Sequence, residues 1–600
     1  MKRLVLPQLL LLGMTGLPGG QGSVPMPAPA AAADRVITER DVPVPMRDGV
    51  VLRADVLRPR VAAGERVPVL VYRTPYGKHV APQEYTTFRR AAARGYAVVI
   101  QDVRGRYASA GEFRPYQNEG RDGYDTIEWA ARQPWSNGAV GTFGLSYPGA
   151  VQWLAAVEGP PHLKAMVPAM TFSTPQNFFY AGGAWDLSWL DWFWHNIAPD
   201  VRVRKDLPGP RTYDEAAATW NRVGLRIKST VPLDQVEELR GLAPSYFEWL
   251  SHPPEDPWWD WCELRGKYDR VQAAVLNLSG WYDDNYGSEG AITNFTGLIE
   301  SRRGERGPRT HLLMGPWLHG VDSLAQAEAG ERRFGAGAAI DYDEVILRWM
   351  DHHLRGIDNG VADEKRVRYF VMGADQWRDD DAWPPAARRT SYYLISPEEE
   401  SKRGSLSPNP PQQDDRFSVF VSDPAAPVTN PYDTGGAHDY RRLSDRSDVL
   451  SFDSAPLERD TELTGPIQAR IHLACDCRDT DLWVRLLDLA PDGTALNVIS
   501  PGLDVLRASY RDPAKGRQLL TPGEVYELRL GNLVTSNVFK KSHRIRIQIS
   551  ATFFPNFSRN PHTGDSESVS AKMQKARIRI YTDRSHPSQV ILPSPPFISM

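Results

Sequence analysis

One serine stands in a context that can make it a nucleophile. Ser146 lies in the segment GTFGLSYPG, residues 141–149, directly after a short apolar run. Small residues around a serine allow the tight strand-to-helix turn of a nucleophile elbow, because a bulky side chain would clash there. Gly144 stands two positions before the serine, while Pro148 replaces the usual glycine two positions after it and Gly149 follows. We predict that Ser146 attacks a carbonyl carbon; the alternative is a structural turn serine.

Two later segments supply a base and an acid for this hydroxyl. A serine needs a base that takes its proton and an acid that orients the base, and behind an elbow they follow in the order acid, then histidine. The apolar run 273–278 leads into Ser-Gly-Trp-Tyr-Asp283-Asp284, and the run 311–314 leads into Gly-Pro-Trp-Leu-His319. We predict His319 as the base and Asp283 as the acid. Asp284 stays open as the alternative acid.

The negative oxygen that forms during attack needs hydrogen-bond donors. The backbone N–H of Tyr147 is one donor, because it follows the nucleophile. The loop after the early apolar run 67–72 reads Arg-Thr-Pro-Tyr76-Gly-Lys and contains no run of glycines that would present backbone amides. We therefore predict the Tyr76 hydroxyl as the second donor, against the alternative of a surface tyrosine. This chemistry needs no metal and no organic cofactor.

The elements that must position these residues alternate between strands and helices. Short β-rich runs separated by helical segments indicate a mostly parallel sheet covered on both faces. Between residues 171 and 268 the strand signal is weak and aromatic residues are dense, which predicts an inserted helical cap. The sequence thus predicts an α/β-hydrolase fold with its core in residues 34–170 and 269–366. Residues 367–600 carry regularly spaced alternating runs and turn residues, which predict a β jelly-roll domain.

The N-terminus has the order of a secretory signal peptide. Lys2 and Arg3 precede an apolar stretch, and small residues and prolines follow as far as Ala33. We expect residues 1–33 to be a signal peptide region, with cleavage near Ala33 or near Gly22, and the protein to be secreted or periplasmic. No segment is long and apolar enough to predict a membrane span. The net charge of −4 over 600 residues gives no indication of a nucleic-acid partner.

The chain has three cysteines, Cys262, Cys475 and Cys477. Cys475 and Cys477 lie two apart in a strand-like stretch and would share a face, which is an unfavourable geometry for a bond between them. A pair between Cys262 and one of the two others is left open. The spacing of the histidines and cysteines does not indicate a metal site.

Five segments together resemble a known family. They are Arg-Thr-Pro-Tyr76-Gly-Lys, Asp102-Val-Arg-Gly105 with Ser109-Ala-Gly-Glu112-Phe, Gly144-Leu-Ser146-Tyr-Pro-Gly149, Gly280-Trp-Tyr-Asp283 and Gly315-Pro-Trp-Leu-His319. The set is similar to the cocaine esterase (CocE/NonD) hydrolases, whose wider relatives are the X-Pro dipeptidyl-peptidases, α-amino acid ester hydrolases and glutaryl-cephalosporin acylases. The resemblance implies a triad of Ser146, Asp283 and His319, with the Tyr76 hydroxyl and the Tyr147 amide as oxyanion hole.

The resemblance also bears on the substrate. The α-amino acid ester hydrolases hold a substrate ammonium with acids two and three residues after the catalytic aspartate, where this chain has Asn285 and Tyr286. Asp284, Asp186 and Asp191 are the residues that could compensate. The segment that holds Phe178, Tyr180 and Trp185 resembles the lining of an acyl pocket in cocaine esterases, which implies a pocket for an aryl or bulky acyl group.

The sequence therefore predicts a serine hydrolase that cleaves carboxylic esters through an acyl-enzyme. Amide cleavage, as by an X-Pro dipeptidyl-peptidase or a β-lactam or α-amino acid ester acylase, is the alternative within enzymes. A surface- or carbohydrate-binding protein with an inactive core is the more distant alternative. The expected partner is a small ester or amide, and homo-oligomerisation is left open.

Overall fold

A computed structural model describes residues 36–284, 287–303, 309–397, 403–499 and 503–594. The predicted signal peptide lies outside these residues. Apolar runs such as that of β3, whose residues are all buried, form the centre of the first sheet. The strands of the first part of the core are β1 (Val36–Pro45), β2 (Val51–Pro59), β3 (Val67–Thr74), β4 (Ala97–Asp102), β5 (Ser136–Leu145) and β6 (Leu163–Ala169). Its helices are α1 (Ala81–Glu84), α2 (Thr87–Ala93), α3 (Glu119–Ala131) and α4 (Tyr147–Ala156).

The segment after β6 forms a mostly helical cap. Its aromatic residues pack on one another and on the core beneath them, so burial of large apolar side chains holds the cap in place. Its elements are a short hairpin of β7 (Tyr180–Ala181) and β8 (Ala184–Trp185), α5 (Ser188–Trp192), a π-helical turn (Phe193–Ile197), α6 (Ala198–Lys205), α7 (Tyr213–Lys228) and α8 (Pro244–Leu250). Its 3₁₀ turns are Pro175–Asn177, Leu233–Gln235, Glu237–Leu239, Pro257–Trp261 and Tyr268–Arg270.

The chain then returns to the first sheet. The added elements are β9 (Ala274–Tyr282), α9 (Glu289–Ser301), β10 (Thr310–Leu318), α10 (Val321–Leu324), β11 (Glu328–Ala329), β12 (Arg332–Arg333), α11 (Tyr342–Arg355), β13 (Val367–Val371) and β14 (Gln376–Asp380). The strand order is β1-β2-β4-β3-β5-β6-β9-β10-β13-β14. The strands from β4 to β13 pair in parallel, so the loops after β5, β9 and β10 all open at one edge.

The boundary of the C-terminal domain differs from the prediction. Residues 367–380 were expected in the jelly roll, but β13 pairs in parallel with β10, and β14 pairs with β13 at the edge of the hydrolase sheet. A short edge hairpin has the same alternating pattern as a strand pair in a sandwich, so periodicity alone does not separate them. The second sheet begins only with Arg388.

The C-terminal domain is a β jelly roll with its own apolar core. Strand β25 alternates buried and exposed residues, whereas β20 and β24 are buried almost throughout. The strands are β15 (Arg388–Ile395), β16 (Arg403–Ser407), β17 (Phe417–Ser422), β18 (Leu450–Asp453), β19 (Thr461–Cys475), β20 (Asp481–Leu489), β21 (Ala495–Asn497), β22 (Leu503–Arg507), β23 (Tyr526–Phe539), β24 (Arg544–Ser550), β25 (Ala576–Tyr581) and β26 (Gln589–Ser594).

The cysteine prediction is wrong. Cys475 and Cys477 form a disulfide, with Cα atoms 5.2 Å apart, while Cys262 is a buried free thiol. Strand β19 ends at Cys475, so the two-residue alternation that would keep both side chains on one face stops there. The bend that follows brings the two Cα atoms into the range that a disulfide spans.

No helix within the described ranges is long and apolar enough to cross a membrane.

One buried and one half-buried histidine make the core sensitive to acid. His311 on β10 and His353 on α11 both contact the Trp349 ring, with ring centroids 5.0 and 4.3 Å from it. Burial lowers the pKa of each imidazole to about 4. The folded protein therefore prefers both side chains neutral, whereas an unfolded chain takes up protons near pH 6.5.

We expect the free energy of unfolding to fall as the pH drops from about 6.5 to about 4. His311 alone accounts for about 3 kcal/mol of this loss, because a shift of one pKa unit corresponds to about 1.4 kcal/mol. Urea unfolding of His311→Leu followed by tryptophan fluorescence should show a smaller loss between neutral and acidic buffer. His79→Leu, at an exposed histidine, is the control. An equal loss in wild type and His311→Leu would contradict this account.

Candidate functional site

Ser146 lies at a strained turn between β5 and α4. Its backbone has φ 68° and ψ −125°, which side-chain-bearing residues rarely adopt. The Ser146 N–H donates to the carbonyl of Ala169 on the neighbouring strand at 3.0 Å, and its own carbonyl accepts from Ala150 at 2.9 Å. The turn is thus held from the sheet on one side and by the first helical turn on the other.

The residues around the turn leave no room for additional atoms. A Cβ on Gly144 would come within 2.5 Å of the Pro148 ring, and one on Gly149 within 2.7 Å of the Ala169 carbonyl. The side-chain amide of Gln152 donates to the carbonyls of Gly144 and Pro148 at 3.2 and 3.0 Å. Proline is compatible with this position because it is the second residue of α4, where no intrahelical N–H donor is needed.

Asp283 and His319 meet at the same edge of the sheet. Asp283 follows β9 and His319 follows β10, and His319 Nδ1 lies 2.9 Å from Asp283 Oδ1. The Ser279 hydroxyl donates to the other carboxylate oxygen at 3.2 Å. The Asp283 side chain is completely buried. Of the two carboxylates that the sequence left open, Asp283 is the one at the imidazole.

The contact between His319 and Asp283 depends on a close approach of the backbones at the ends of β9 and β10. A Cβ on Gly280 would lie 2.2 Å from the carbonyl oxygen of Trp317, so only glycine lets the ends of β9 and β10 come together. Burial by itself would lower the pKa of His319, but the carboxylates of Asp283 and Asp284 outweigh it and raise the pKa above the ordinary 6.5. The pair is arranged to stabilise an imidazolium.

Tyr76 projects from the loop after β3 towards the serine. Its hydroxyl lies within hydrogen-bonding reach of the Ser146 side chain. The indole N–H of Trp192 in the cap donates to the Tyr76 oxygen at 3.1 Å. Burial raises the pKa of Tyr76 to about 12, so the hydroxyl keeps its proton at neutral pH and remains a donor.

Arg106 ties the Tyr76 loop to the cap and was missed by the sequence analysis. Its Nε donates to the carbonyl of Pro75 at 2.9 Å, and an Nη donates to the carbonyl of Asn196 at 2.8 Å. A further Nη lies 3.1 Å from an Asp200 carboxylate oxygen. Its position two residues after the Asp102-Val-Arg segment could have indicated a role at the site. Its partners lie far from it in the sequence, so the sequence did not reveal the contacts.

The Tyr147 side chain is anchored below the turn. Its hydroxyl donates to a Glu119 carboxylate oxygen at 2.9 Å and accepts from the Tyr116 N–H at 3.0 Å. The other Glu119 oxygen forms a buried ion pair with Arg73 at 2.8 Å. These contacts fix the position of the Tyr147 side chain at the start of α4.

A cavity of about 650 Å³ opens at Ser146. Trp189, Trp192 and Trp220 of the cap line it. The predicted acyl-pocket residues do not lie there: Phe178, Tyr180 and Trp185 are buried, with relative exposures of 1%, 8% and 1%, in the aromatic core of the cap. The resemblance implied a pocket lined by the cap, but which rings of the cap face the cavity depends on how the cap folds onto the core.

Carboxylates make this cavity acidic. Asp186, Asp191 and Asp284 all line it, as does Lys228, whose ammonium pairs with Asp191. Burial raises the pKa of Asp186 to about 7, although the Ser188 N–H donates to it at 2.8 Å. Asn285 and Tyr286 lie outside the described residues.

A loop of the jelly roll, residues 430–440, forms another part of the cavity wall. Asn497 holds it, accepting from the His438 N–H at 2.7 Å and donating to the Gly436 carbonyl at 3.0 Å. The carbonyl of Asn497 in turn accepts from the Tyr282 hydroxyl, next to Asp283, at 3.0 Å. The C-terminal domain is therefore part of the site. Within the described parts of the chain, no group of three or more His, Cys, Asp or Glu side chains is arranged to hold a metal ion.

Comparison with known proteins provides evidence about the family of this chain that is independent of the site geometry. Residues 48–321 match the X-Pro dipeptidyl-peptidase (S15) family, and residues 359–591 match the X-Pro dipeptidyl-peptidase C-terminal non-catalytic domain. Cocaine esterase of Rhodococcus sp. (strain MB1 Bresler) is 33% identical over 579 residues, which cover 92% of this chain and 98% of that protein.

Solved structures show the same fold. An aminopeptidase from the marine sediment archaeon Thaumarchaeota archaeon aligns with a TM-score of 0.79 at 22% identity, covering 96% of this chain and 98% of its own. An α-amino acid ester hydrolase aligns with a TM-score of 0.78 at 24% identity, covering 95% and 98%.

The α/β-hydrolase core, its cap, its jelly roll and these matches define the class of the protein as a serine hydrolase. The chain belongs to the cocaine esterase-like (CocE/NonD) hydrolase family. The predicted fold class and the predicted family are both confirmed.

The His319–Asp283 pair predicts the pH dependence of hydrolysis. A base must be neutral to accept a proton, so we expect kcat/KM to fall on the acid side with a midpoint above pH 6.5. Asp283→Asn removes the nearest negative charge; it should move the midpoint down and lower kcat about a thousandfold or more. Asp284→Asn leaves the hydrogen bond in place and should move the midpoint less. A midpoint that Asp283→Asn does not move would contradict this assignment.

Proposed function

We propose that the protein hydrolyses carboxylic esters through an acyl-enzyme on Ser146. The observation that carries the proposal is the 2.9 Å hydrogen bond between His319 and the buried Asp283, at the sheet edge where the strained Ser146 turn also lies. The Tyr76 hydroxyl and the Tyr147 N–H serve as oxyanion donors. The contact of Tyr76 with the Ser146 side chain supports the first of these.

The mechanism is a double displacement. His319 accepts the Ser146 proton as the serine oxygen forms a bond to the carbonyl carbon, and Asp283 stabilises the imidazolium. The carbonyl oxygen becomes an oxyanion that Tyr76 and the Tyr147 N–H stabilise. The alkoxide leaves with the proton from His319. Water then attacks the acyl-enzyme, gives its proton to His319 and releases the acid and free Ser146.

Amide cleavage is the alternative within the same chemistry. Both matched family descriptions concern X-Pro dipeptidyl-peptidases, and the aminopeptidase shares the fold. The 33% identity to cocaine esterase over 92% of this chain favours esters. Export is proposed as well, because Lys2, Arg3 and the apolar stretch after them have the order of a signal peptide.

A covalent probe tests the nucleophile directly. A fluorophosphonate should label the wild type once, and Ser146→Ala should abolish the label and lower ester turnover by about a thousandfold or more. Initial rates on p-nitrophenyl acyl esters, X-Pro p-nitroanilides and β-lactam amides separate the substrate classes, with Ser146→Ala as background. An unlabelled wild type, or Ser146→Ala that retains its rate, would refute the proposal. If the X-Pro substrates are hydrolysed faster than the esters, the protein is a peptidase rather than an esterase.

The acidic wall favours esters that carry a positive charge. Asp186, Asp191 and Asp284 face the cavity, and Lys228 offsets only one of them. Asp186, with its pKa raised to about 7, ionises across the neutral range. The attraction for a cation should therefore increase with pH, because the charged form of Asp186 becomes dominant.

Matched substrates test this preference. We expect the ratio of kcat/KM for a trimethylammonium ester over its neutral tert-butyl isostere to rise about fivefold from about pH 6 to about pH 8, a difference of about 1 kcal/mol. The ratio cancels the titration of His319, which both substrates share. Asp186→Asn should flatten the pH dependence of the ratio. A ratio below one at the higher pH would rule out the cationic preference.

A further inference from the structure

We propose that Trp192 of the cap positions and polarises the Tyr76 hydroxyl for the oxyanion, so that the oxyanion hole is complete only when the cap is docked. The inference rests on the proposed role of Tyr76 and extends it to a residue on a different structural unit. Trp192 is the last residue of α5, and Tyr76 follows β3 in the core.

The direction of the hydrogen bond carries the argument. An indole nitrogen only donates, so the Tyr76 oxygen must accept from Trp192 at 3.1 Å. The single proton of the tyrosine hydroxyl cannot point along the same line, and the Ser146 side chain also lies within hydrogen-bonding reach of this hydroxyl. Trp192 therefore disfavours the hydroxyl rotamer that points at the indole and leaves the proton available on the side where Ser146 lies. Without it, the proton would be free to rotate away from the site.

The same contact strengthens the donor. A hydroxyl that accepts a hydrogen bond becomes a better donor, because each bond polarises the next one in a chain. The effect increases as negative charge develops on the substrate oxygen, so it stabilises the transition state more than the bound ester.

Packing fixes the indole in place. The Trp192 ring stacks parallel to the Tyr147 ring, with centroids 6.0 Å apart and an interplanar angle of 6°. One cap residue thus contacts both residues that supply the proposed oxyanion donors. The π-helical turn that follows, Phe193–Ile197, is joined to the Tyr76 loop by Arg106, which donates to the carbonyls of Asn196 and Pro75.

A double-mutant cycle on kcat tests this coupling. Trp192→Phe keeps an aromatic ring and removes the N–H; we expect kcat to fall about tenfold with KM within about twofold, less than the hundredfold or more for loss of a donor in Tyr76→Phe. In the Tyr76→Phe background, Trp192→Phe should change kcat by less than about twofold, because its partner is absent.

The control removes an equivalent group from the same helix. Trp189 also lines the cavity, but its indole N–H donates to the Phe178 carbonyl at 3.1 Å. Trp189→Phe should therefore change kcat by the same factor in the wild-type and Tyr76→Phe backgrounds. Rates are divided by the fluorophosphonate-labelled fraction, so that a poorly folded variant is compared per active molecule. Affinity for a boronic acid, which places an oxygen in the oxyanion hole, should fall with kcat in Trp192→Phe.

These measurements distinguish failure of the Trp192 coupling from failure of the proposed oxyanion role of Tyr76. If the effects of Trp192→Phe and Tyr76→Phe multiply, Trp192 acts through packing alone and the inference is overturned. If Tyr76→Phe itself leaves kcat unchanged while Ser146→Ala abolishes turnover, the oxyanion role of Tyr76 fails and the coupling fails with it. Loss of the Trp192 effect only in the Tyr76→Phe background supports the inference.

Discussion

The strained turn at Ser146 is the constraint on which the site depends. A positive φ at a serine costs on the order of 1–3 kcal/mol and persists only where surrounding contacts over-determine it. Here the Ala169 carbonyl, the Gln152 amide and two glycines that leave no space for a Cβ supply those contacts. The same arrangement brings the Ser146 hydroxyl to the edge of the sheet at which strands β9 and β10 end.

Three structural units meet at this edge, and each supplies something the others lack. The core supplies Ser146, Asp283 and His319 from the ends of parallel strands. The cap supplies the indole that contacts Tyr76 and most of the aromatic wall. The jelly roll closes the remaining side with the loop at residues 430–440. The domain described in its family as non-catalytic therefore shapes the cavity in this chain.

Buried polar groups join these units. Arg106 bonds to carbonyls of both the Tyr76 loop and the cap, and the Asn497 side chain and carbonyl join the jelly-roll loop to Tyr282. Loss of one partner would leave a buried donor or acceptor unsatisfied, which costs about 1–3 kcal/mol. Such hydrogen bonds are directional, so they fix the relative positions of the three units more narrowly than apolar packing alone does.

Local patterns in the sequence were sufficient for the fold class, the cap, the family and the candidate residues Ser146, Asp283, His319 and Tyr76, because elbows and post-strand loops depend on short-range chemistry. Tertiary structure alone decided that Asp283 rather than Asp284 meets the imidazole, and that Cys475 bonds Cys477. It also decided that Trp189, Trp192 and Trp220, rather than the predicted Phe178, Tyr180 and Trp185, face the cavity. The physical reason is that any aromatic ring of the cap can be stabilised by burial, so only the packing of segments distant in the sequence determines which rings face the cavity.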